Sequence, residues 1–121
     1  MSQSTVLVVE DDPDTREMIG RFLEYEGFTV QFASNGRQAL DCLGNEPTAC
    51  VILLDLMMPV MDGWEFRRRQ IREAALSRIP VIVVSAAGKD RIEQIHADDY
   101  LSKPVDLDEL LTRVTRFCKP A

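Results

Sequence analysis

Five short apolar runs, each followed by a polar or amphipathic stretch, are the feature that most constrains how this chain folds. The runs lie at residues 6–9, 28–33, 50–54, 81–84 and 100–101, of which 28–33 alternates apolar and polar residues like a strand. Apolar runs of four or five residues without alternation are typical of strands that are buried on both faces. Because strand and helix patterns alternate along the chain, the sequence predicts a parallel sheet with helices on both faces.

Residues that favour helix ends and turns separate the apolar runs. Asp12 and Pro13 suit the cap and the first turn of a helix after the first strand. Asp106 suits the start of the last helix in the same way. Only about 14 residues join the fourth and fifth strands, near the lower limit of a dozen for a parallel crossover. The helix in this connection, around Ile92 and Ile95, is therefore predicted to be shortened.

Length and charge limit the functions that this chain can have. Its 121 residues suit one domain with one buried core. The net charge of -6 argues against unspecific binding of nucleic acid, which requires clustered Lys and Arg. The only dense basic run, at residues 67–69, favours a solvated helix face.

The three cysteines and the N-terminus bear on the cellular compartment. Cys42, Cys50 and Cys118 are odd in number, and no pair has metal-ligand spacing. The sequence therefore predicts neither a disulfide framework nor a zinc site. Cysteines without either role are typical of proteins in a reducing environment. The first residues, 1–4, lack the basic region and the following apolar region of a signal peptide, and no apolar run approaches the roughly 20 residues that span a bilayer. We therefore expect a cytoplasmic protein without membrane insertion.

Reactive polar residues stand at the carboxyl ends of four predicted strands: Glu10 and Asp11, Asp55, Ser85, and Lys103. In an open parallel sheet, ligands bind beyond these strand ends, near the point where the strand order reverses. Crowded carboxylates resist joint ionisation unless a cation joins them, and Mg2+ prefers such oxygen ligands. A carboxylate can also act as a nucleophile and form an aspartyl phosphate. The sequence therefore predicts a magnesium-dependent phosphorylation site centred on Asp55.

Four motifs in this order resemble the receiver domain of bacterial response regulators, the proteins of two-component signalling. They are Glu10-Asp11, residues 55–63 (DLMMPVMDG), Ser85-Ala86 and residues 98–104 (DDYLSKP). Each motif alone is weak, but their order and spacing together are specific, and they cover nearly the whole chain. The resemblance implies a flavodoxin-like, doubly wound sheet of five parallel strands in the order 2-1-3-4-5.

The resemblance also implies roles for the residues around the phosphorylation site. Asp55 would accept phosphate from a sensor histidine kinase or a histidine phosphotransfer protein. Glu10 and Asp11 would form the acid pair that binds Mg2+ together with Asp55, and the backbone carbonyl of Met57 would complete the protein ligands. Two structural residues match the loop after the third strand: Pro59 and Gly63.

Further residues match the family's switching groups. Ser85 would be the switch hydroxyl and Tyr100 the switch aromatic. Lys103 would contact the phosphoryl group, positioned by a cis bond to Pro104.

Three positions depart from the family's usual residues. His96 stands where a glycine usually precedes Ala97, and Val60 occupies a loop position that glycine often holds. Val105 stands where an aromatic residue often follows the Lys-Pro pair. None of these departures removes a group from the predicted site.

The resulting hypothesis is a single receiver domain over residues 1–121, without an output domain. It would catalyse only its own phosphorylation and dephosphorylation, and a downstream protein, not nucleic acid, would bind one of its two states. Two alternatives remain open. One is a phosphate-independent interaction module on the same fold. The other is a metal-dependent phosphohydrolase with Asp55 as nucleophile, although Met57 replaces the second acid of the Asp-x-Asp pattern that such enzymes resemble.

Overall fold

A five-stranded parallel sheet forms the centre of the molecule. The computed structural model describes residues 4–44, 47–88, 91 and 93–121. The strands are β1 (Thr5–Val9), β2 (Thr29–Ala33), β3 (Ala49–Leu54), β4 (Val81–Ser85) and β5 (Asp99–Ser102). All four pairings are parallel, and the spatial order is β2-β1-β3-β4-β5. This order confirms the predicted flavodoxin-like, doubly wound fold, in which the direction of winding reverses between β1 and β3.

Five helices lie in the part of the chain that the structure describes. They are α1 (Pro13–Tyr25), α2 (Gly36–Leu43), α3 (Gly63–Arg72), α4 (Ala74–Ser77) and α5 (Leu107–Val114). Side-chain caps begin four of them, at Asp12, Asn35, Asp62 and Asp106. Each cap satisfies a backbone N–H that has no partner within its helix. None of these helices is long and apolar enough to cross a bilayer.

The helices cover the two faces of the sheet separately. Ala39 of α2, Phe66 of α3 and Leu76 of α4 pack in one core, and Leu23 of α1 and Leu110 of α5 pack in the other. β3 and β4 are buried along their whole length, because helices cover both of their faces. The short helix α4, which joins α3 to β4, was not predicted from the sequence.

The shortened helix predicted in the connection from β4 to β5 includes Ile92, which lies outside the described residues, so it remains a prediction. Of the described residues there, Ile95 is buried and His96 has a φ of 53°. Val60, in the loop before α3, has a φ of 68°. Both backbones adopt the left-handed conformation that glycine favours. This conformation explains why glycine often holds the positions that His96 and Val60 occupy here.

Cys50 and Cys118 form a disulfide, so the prediction of no disulfide framework is wrong for this pair. Their Cα atoms are 5.5 Å apart although 68 positions separate them in the sequence. Cys50 lies in β3, and Cys118 follows α5, which packs across the same face of the sheet. Spacing along the chain carries no information about a pair that packing brings together. Cys42 is free and exposed.

We predict that a reducing agent lowers the stability of the protein. A disulfide contributes about 2–4 kcal/mol, mainly by restricting the unfolded chain, so wild-type protein should lose this amount of unfolding free energy in dithiothreitol. Urea unfolding with and without the reductant measures the difference. Cys118→Ala should not respond to the reductant, whereas Cys42→Ala should respond like the wild type. Equal stability of the wild type in both buffers would contradict the prediction.

Candidate functional site

Three carboxylates meet at the carboxyl ends of the adjacent strands β1 and β3. Glu10 and Asp11 follow β1, and Asp55 follows β3. β1 and β3 are paired so that Val9 lies beside Leu54, and the Asp55 N–H donates to the Val9 carbonyl at 3.0 Å. One carboxylate oxygen from each acid lies within 4.8 Å of the others. Glu10 and Asp55 are buried, whereas Asp11 is exposed.

Lys103 places an ammonium group between two of these acids. Its Nζ lies 2.6 Å from Glu10 Oε1 and 3.3 Å from Asp55 Oδ2. The Lys103 N–H donates to the Ser85 carbonyl at 3.1 Å, and the peptide bond to Pro104 is cis as predicted. Lys103 thus reaches from the end of β5, past the end of β4, into the acidic cluster. Lys103 does not pair with Asp11, which is exposed to solvent, so the negative charge of Asp11 is not neutralised by this lysine.

Ser85 and Tyr100 lie on the neighbouring strands, where each makes a hydrogen bond to the chain. Ser85, at the end of β4, is buried, and its Oγ accepts from the Ala87 N–H at 3.1 Å. The half-buried Tyr100 in β5 accepts a hydrogen bond from the Ala97 N–H at 3.2 Å through its hydroxyl oxygen. Tyr100 is therefore attached to the segment that precedes its own strand.

The loop from β3 to α3 wraps closely around Asp55. The Met57 N–H donates to Asp55 Oδ1 at 3.3 Å, while the Met57 side chain is exposed. The Gly63 N–H donates to the Leu56 carbonyl at 2.9 Å, and the Pro59 carbonyl accepts from the Met61 N–H at 2.8 Å. These bonds place the Met57 N–H beside the Asp55 carboxylate, and the ligand role of the Met57 carbonyl stays a prediction.

Sequence reasoning missed two groups that support Glu10. The Arg16 Nη1 donates to the Glu10 carbonyl at 2.9 Å, and the Asp12 N–H donates to Glu10 Oε2 at 3.2 Å. Asp12 was assigned only the role of helix cap, which it also performs. The contact of Arg16 could have been predicted, because side chains in the first turns of a helix lean toward the helix N-terminus, which here follows the end of β1.

Burial and ion pairing act in opposite directions on Glu10. Burial raises the pKa of Glu10 from 4.5 to about 7; the Lys103 ammonium opposes this shift, and the neighbouring Asp55 carboxylate adds to it. Burial lowers the pKa of Lys103, but the Glu10 and Asp55 carboxylates outweigh that effect and leave it above its usual value. A cation that joined the acids would favour the ionised form of Glu10.

The donor set of the cluster fits a hard divalent cation. Glu10, Asp11 and Asp55 offer only carboxylate oxygens, the ligands that Mg2+ prefers, and the exposure of Asp11 leaves room for the waters that Mg2+ keeps. Histidine and cysteine, which would favour zinc, are absent from this group of ligands.

Gly63 has no room for a side chain, and its replacement is predicted to distort the site. A Cβ atom would lie 2.6 Å from the Asp55 carbonyl oxygen and 2.7 Å from the Leu56 Cα. Gly63→Ala should therefore destabilise the fold by about 1–3 kcal/mol, the usual effect of overpacking, as measured by urea unfolding. Gly88→Ala is the matched control, because nothing lies within 4 Å of its Cβ position. Equal stability of the two variants would contradict this account.

The raised pKa of Glu10 predicts a pH-dependent stability for the metal-free protein. The neutral form favours the folded state, so its contribution is complete below the unfolded pKa of 4.5 and is lost as the pH rises through about 7. Glu10→Gln keeps a neutral side chain and should remove about 1–3 kcal/mol of this pH dependence. Urea unfolding in a chelating buffer at several pH values tests it, with the exposed Glu17→Gln as control. Parallel curves for wild type and Glu10→Gln would refute the assignment.

Curated proteins with related sequences include response regulators. Residues 6–115 match the family described as the response regulator receiver domain. The response regulator MprA of Mycolicibacterium vanbaalenii is 40% identical over 113 residues, which cover 90% of this chain and 48% of MprA. An uncharacterised 14.6 kDa protein of Leptolyngbya boryana is 37% identical over 123 residues, which cover 98% of this chain and 92% of that protein. The chain therefore spans about half the length of MprA.

Solved structures resemble the chain over almost all of its length. The chemotaxis protein CheY4 of Vibrio cholerae has a TM-score of 0.86 at 28% identity, covering 94% of this chain and 98% of CheY4. The receiver domain of a Pseudomonas aeruginosa sensor histidine kinase, solved with a magnesium ion coordinated in its active-site cleft, also has a TM-score of 0.86. It is 30% identical and covers 94% of this chain and 96% of that domain. Because the family match extends over residues 6–115, this chain belongs to the response regulator receiver domain family.

Proposed function

We propose that Asp55 is the residue through which this receiver domain acts as a phosphoryl-accepting signalling switch. The observation that carries the proposal is the position of Lys103, whose Nζ contacts both Glu10 and Asp55. A buried carboxylate next to an ammonium group and a second, metal-competent acid pair is suited to nucleophilic attack on phosphorus. A histidine kinase or a histidine phosphotransfer protein would supply the phosphoryl group.

The proposed reaction transfers the phosphoryl group from a donor phosphohistidine. An oxygen of the Asp55 carboxylate attacks the phosphorus, a P–O bond forms, and the P–N bond to the donor imidazole breaks. The Lys103 ammonium lies near enough to Asp55 to neutralise charge on the phosphoryl oxygens. Hydrolysis of the resulting acyl phosphate would return Asp55 to its starting state. The domain would thus act on its own phosphorylation state, without turnover of a separate substrate.

Glu10, Asp11, Asp55 and the Met57 carbonyl would hold Mg2+. Bound Mg2+ would offset the negative charge that the phosphoryl group brings to the three carboxylates. The mutual approach of those carboxylates and the raised pKa of Glu10 support this part of the proposal. The magnesium ion in the related Pseudomonas aeruginosa domain supports it independently.

The phosphoryl group would change the surface of the domain through Ser85 and Tyr100. Phosphorylation adds about -1.5 to -2 charge units at pH 7, which attract a hydroxyl donor. Ser85 Oγ now accepts from Ala87 N–H, so its own hydroxyl hydrogen is available to turn toward the phosphoryl group. Displacement of Ser85 would leave space for Tyr100, which would then release the Ala97 N–H. A downstream protein that binds one of these two states better would detect the signal.

The contacts within the site support this function over the two alternatives. A phosphate-independent interaction module has no need for a lysine that joins Glu10 to Asp55. A phosphohydrolase that uses a second acid two residues after its nucleophile would need that acid at Met57, whose side chain is apolar and exposed.

We predict that acetyl phosphate with Mg2+ adds one phosphoryl group to the protein. Intact mass spectrometry measures the product, because an acyl phosphate raises the mass by a single phosphoryl group. Asp55→Asn should prevent the addition, and a chelating agent should suppress it in the wild type. Asp41→Asn is the matched control, since Asp41 is exposed on α2 and remote from the acidic cluster. Phosphorylation of Asp55→Asn, or none of the wild type, would refute the proposal.

A further inference from the structure

Positive charge is concentrated on α3 and the residues that follow it up to position 78, against the net charge of -6 for the chain. Between residues 63 and 78 the sequence has five arginines and two glutamates, a local charge of +3. The arginines are Arg67, Arg68, Arg69, Arg72 and Arg78, and the glutamates are Glu65 and Glu73. The simple expectation of a solvated helix face accounts for exposed arginines, but not for the contacts that some of them make.

A groove lies between α3 and the segment that precedes β5. Its volume is about 190 Å3. Trp64, Ile71 and Ile95 provide apolar walls, and Arg67 and Arg68 line it beside them. Ile71 is 55% exposed although it belongs to a packed helix, so this apolar surface is open to solvent. Small-molecule pockets usually exceed about 300 Å3, so the groove is better suited to a single protein side chain.

Hydrogen bonds from α3 hold the second wall of the groove in place. The Arg67 Nη2 donates to the His96 carbonyl at 2.9 Å, and its Nη1 donates to Gln70 Oε1 at 2.8 Å. Gln70 is fully buried, and its Nε2 donates to the carbonyls of Leu76 and Ile79. Because each polar group in this chain of contacts is paired, the groove is already formed without a partner.

A second contact joins α3 to the same segment. The Trp64 Nε1 donates to the Arg91 carbonyl at 3.2 Å, and the Arg91 guanidinium lies 4.4 Å from the centre of the Trp64 ring. The guanidinium group of Arg91 therefore adds positive charge near the apolar wall that Trp64 provides.

The cations at the groove have few carboxylate partners. Arg67 binds neutral oxygen atoms of Gln70 and His96. Arg68 shares one carboxylate, that of Glu65, with Arg69. Among the described residues that line the groove, none has a carboxylate side chain. An acidic partner would therefore meet uncompensated positive charge beside an apolar opening.

A larger cleft lies between α2 and α3, but unlike the groove it does not have an excess of positive charge. Its volume is about 710 Å3. It is lined by three basic and three acidic residues, namely Arg37, Arg69, Arg72, Asp41, Glu65 and Glu73. Equal numbers of both charges favour neither an acidic nor a basic partner.

We propose that the groove between α3 and residues 94–96 binds a partner protein through a short amphipathic helix, in which an aliphatic side chain is flanked by Asp or Glu. The aliphatic side chain enters between Trp64, Ile71 and Ile95, and the acidic residues pair with Arg67 and Arg68. Helix-in-groove binding presents apolar anchors one helical turn apart, and one such anchor enters this groove. Binding at this surface does not require a phosphoryl group on Asp55, because none of the contacts that form the groove includes the acidic cluster.

Trp64 is the only tryptophan of the chain, so its fluorescence reports on this groove directly. The probe is a synthetic helical peptide with leucines one turn apart and glutamates beside them. A reference peptide has the same leucines but lysines in place of the glutamates. The glutamate peptide should change Trp64 fluorescence in a saturable way, and the change should weaken at high salt because screening reduces charge pairing. The lysine peptide should give no saturable change.

Exposed residues of the groove provide variants that leave the fold intact. Ile71→Ser removes the apolar wall and Arg68→Glu reverses a charge, and each should raise the Kd for the glutamate peptide at least about tenfold, the effect of a lost anchor contact. Tyr25→Ser and Arg21→Glu are the matched controls. Both lie exposed on α1, on the opposite face of the sheet, and should leave the Kd unchanged.

Three results would overturn the proposal. The first is the absence of a saturable Trp64 response to the glutamate peptide, and the second is equal binding of the lysine peptide. The third is unchanged affinity in both Ile71→Ser and Arg68→Glu, with circular dichroism showing that they are folded. If Trp64 fluorescence responds to protein concentration alone and not to the glutamate peptide, the groove binds a second copy of the chain. If it responds to a short DNA instead, the groove binds nucleic acid. Asp55→Asn should bind the glutamate peptide like the wild type. A failure of peptide binding can therefore be distinguished from a failure of the phosphorylation test.

Discussion

The pairing of β1 with β3 is the constraint on which the candidate site depends. The two strands lie side by side in parallel register, Val9 next to Leu54, so the residues that follow them leave the sheet at the same edge. Glu10 and Asp55 must therefore be neighbours wherever the connecting helices lie. The winding of the sheet reverses at this point, which is where ligands bind in open parallel sheets, and Asp11 is exposed there beside the buried Glu10 and Asp55.

Bringing buried carboxylates together opposes folding, and Lys103 reduces that opposition. A buried charge is tolerated when it is paired and hydrogen-bonded, and Lys103 pairs with both Glu10 and Asp55. The pairing is incomplete, because Asp11 has no share in it and the pKa of Glu10 stays raised. An incompletely neutralised site is suited to a cation and a phosphoryl group, whereas a fully neutralised one would be inert.

Contacts of α3 join the site to a distant surface. Gly63 begins the helix directly against the backbone of Asp55 and Leu56, while Arg67, one turn later, holds the His96 carbonyl. The same helix thus borders both the carboxylate cluster and the groove beside the segment before β5. Arg67 serves as a structural donor as well as a surface charge, because its long guanidinium side chain reaches a backbone carbonyl of a neighbouring segment.

The sequence by itself determined the strands, the capped helices, the strand order through the family resemblance, and the residues at the strand ends, because local patterns and short motifs are contained within a few residues. It also marked Val60, whose left-handed backbone occupies a position that glycine often holds. Only the tertiary structure decided that Lys103 pairs with Glu10 as well as Asp55, and that Cys50 meets Cys118. These contacts join residues that are far apart in the chain, and their distances depend on how helices pack across the sheet, which no local pattern records.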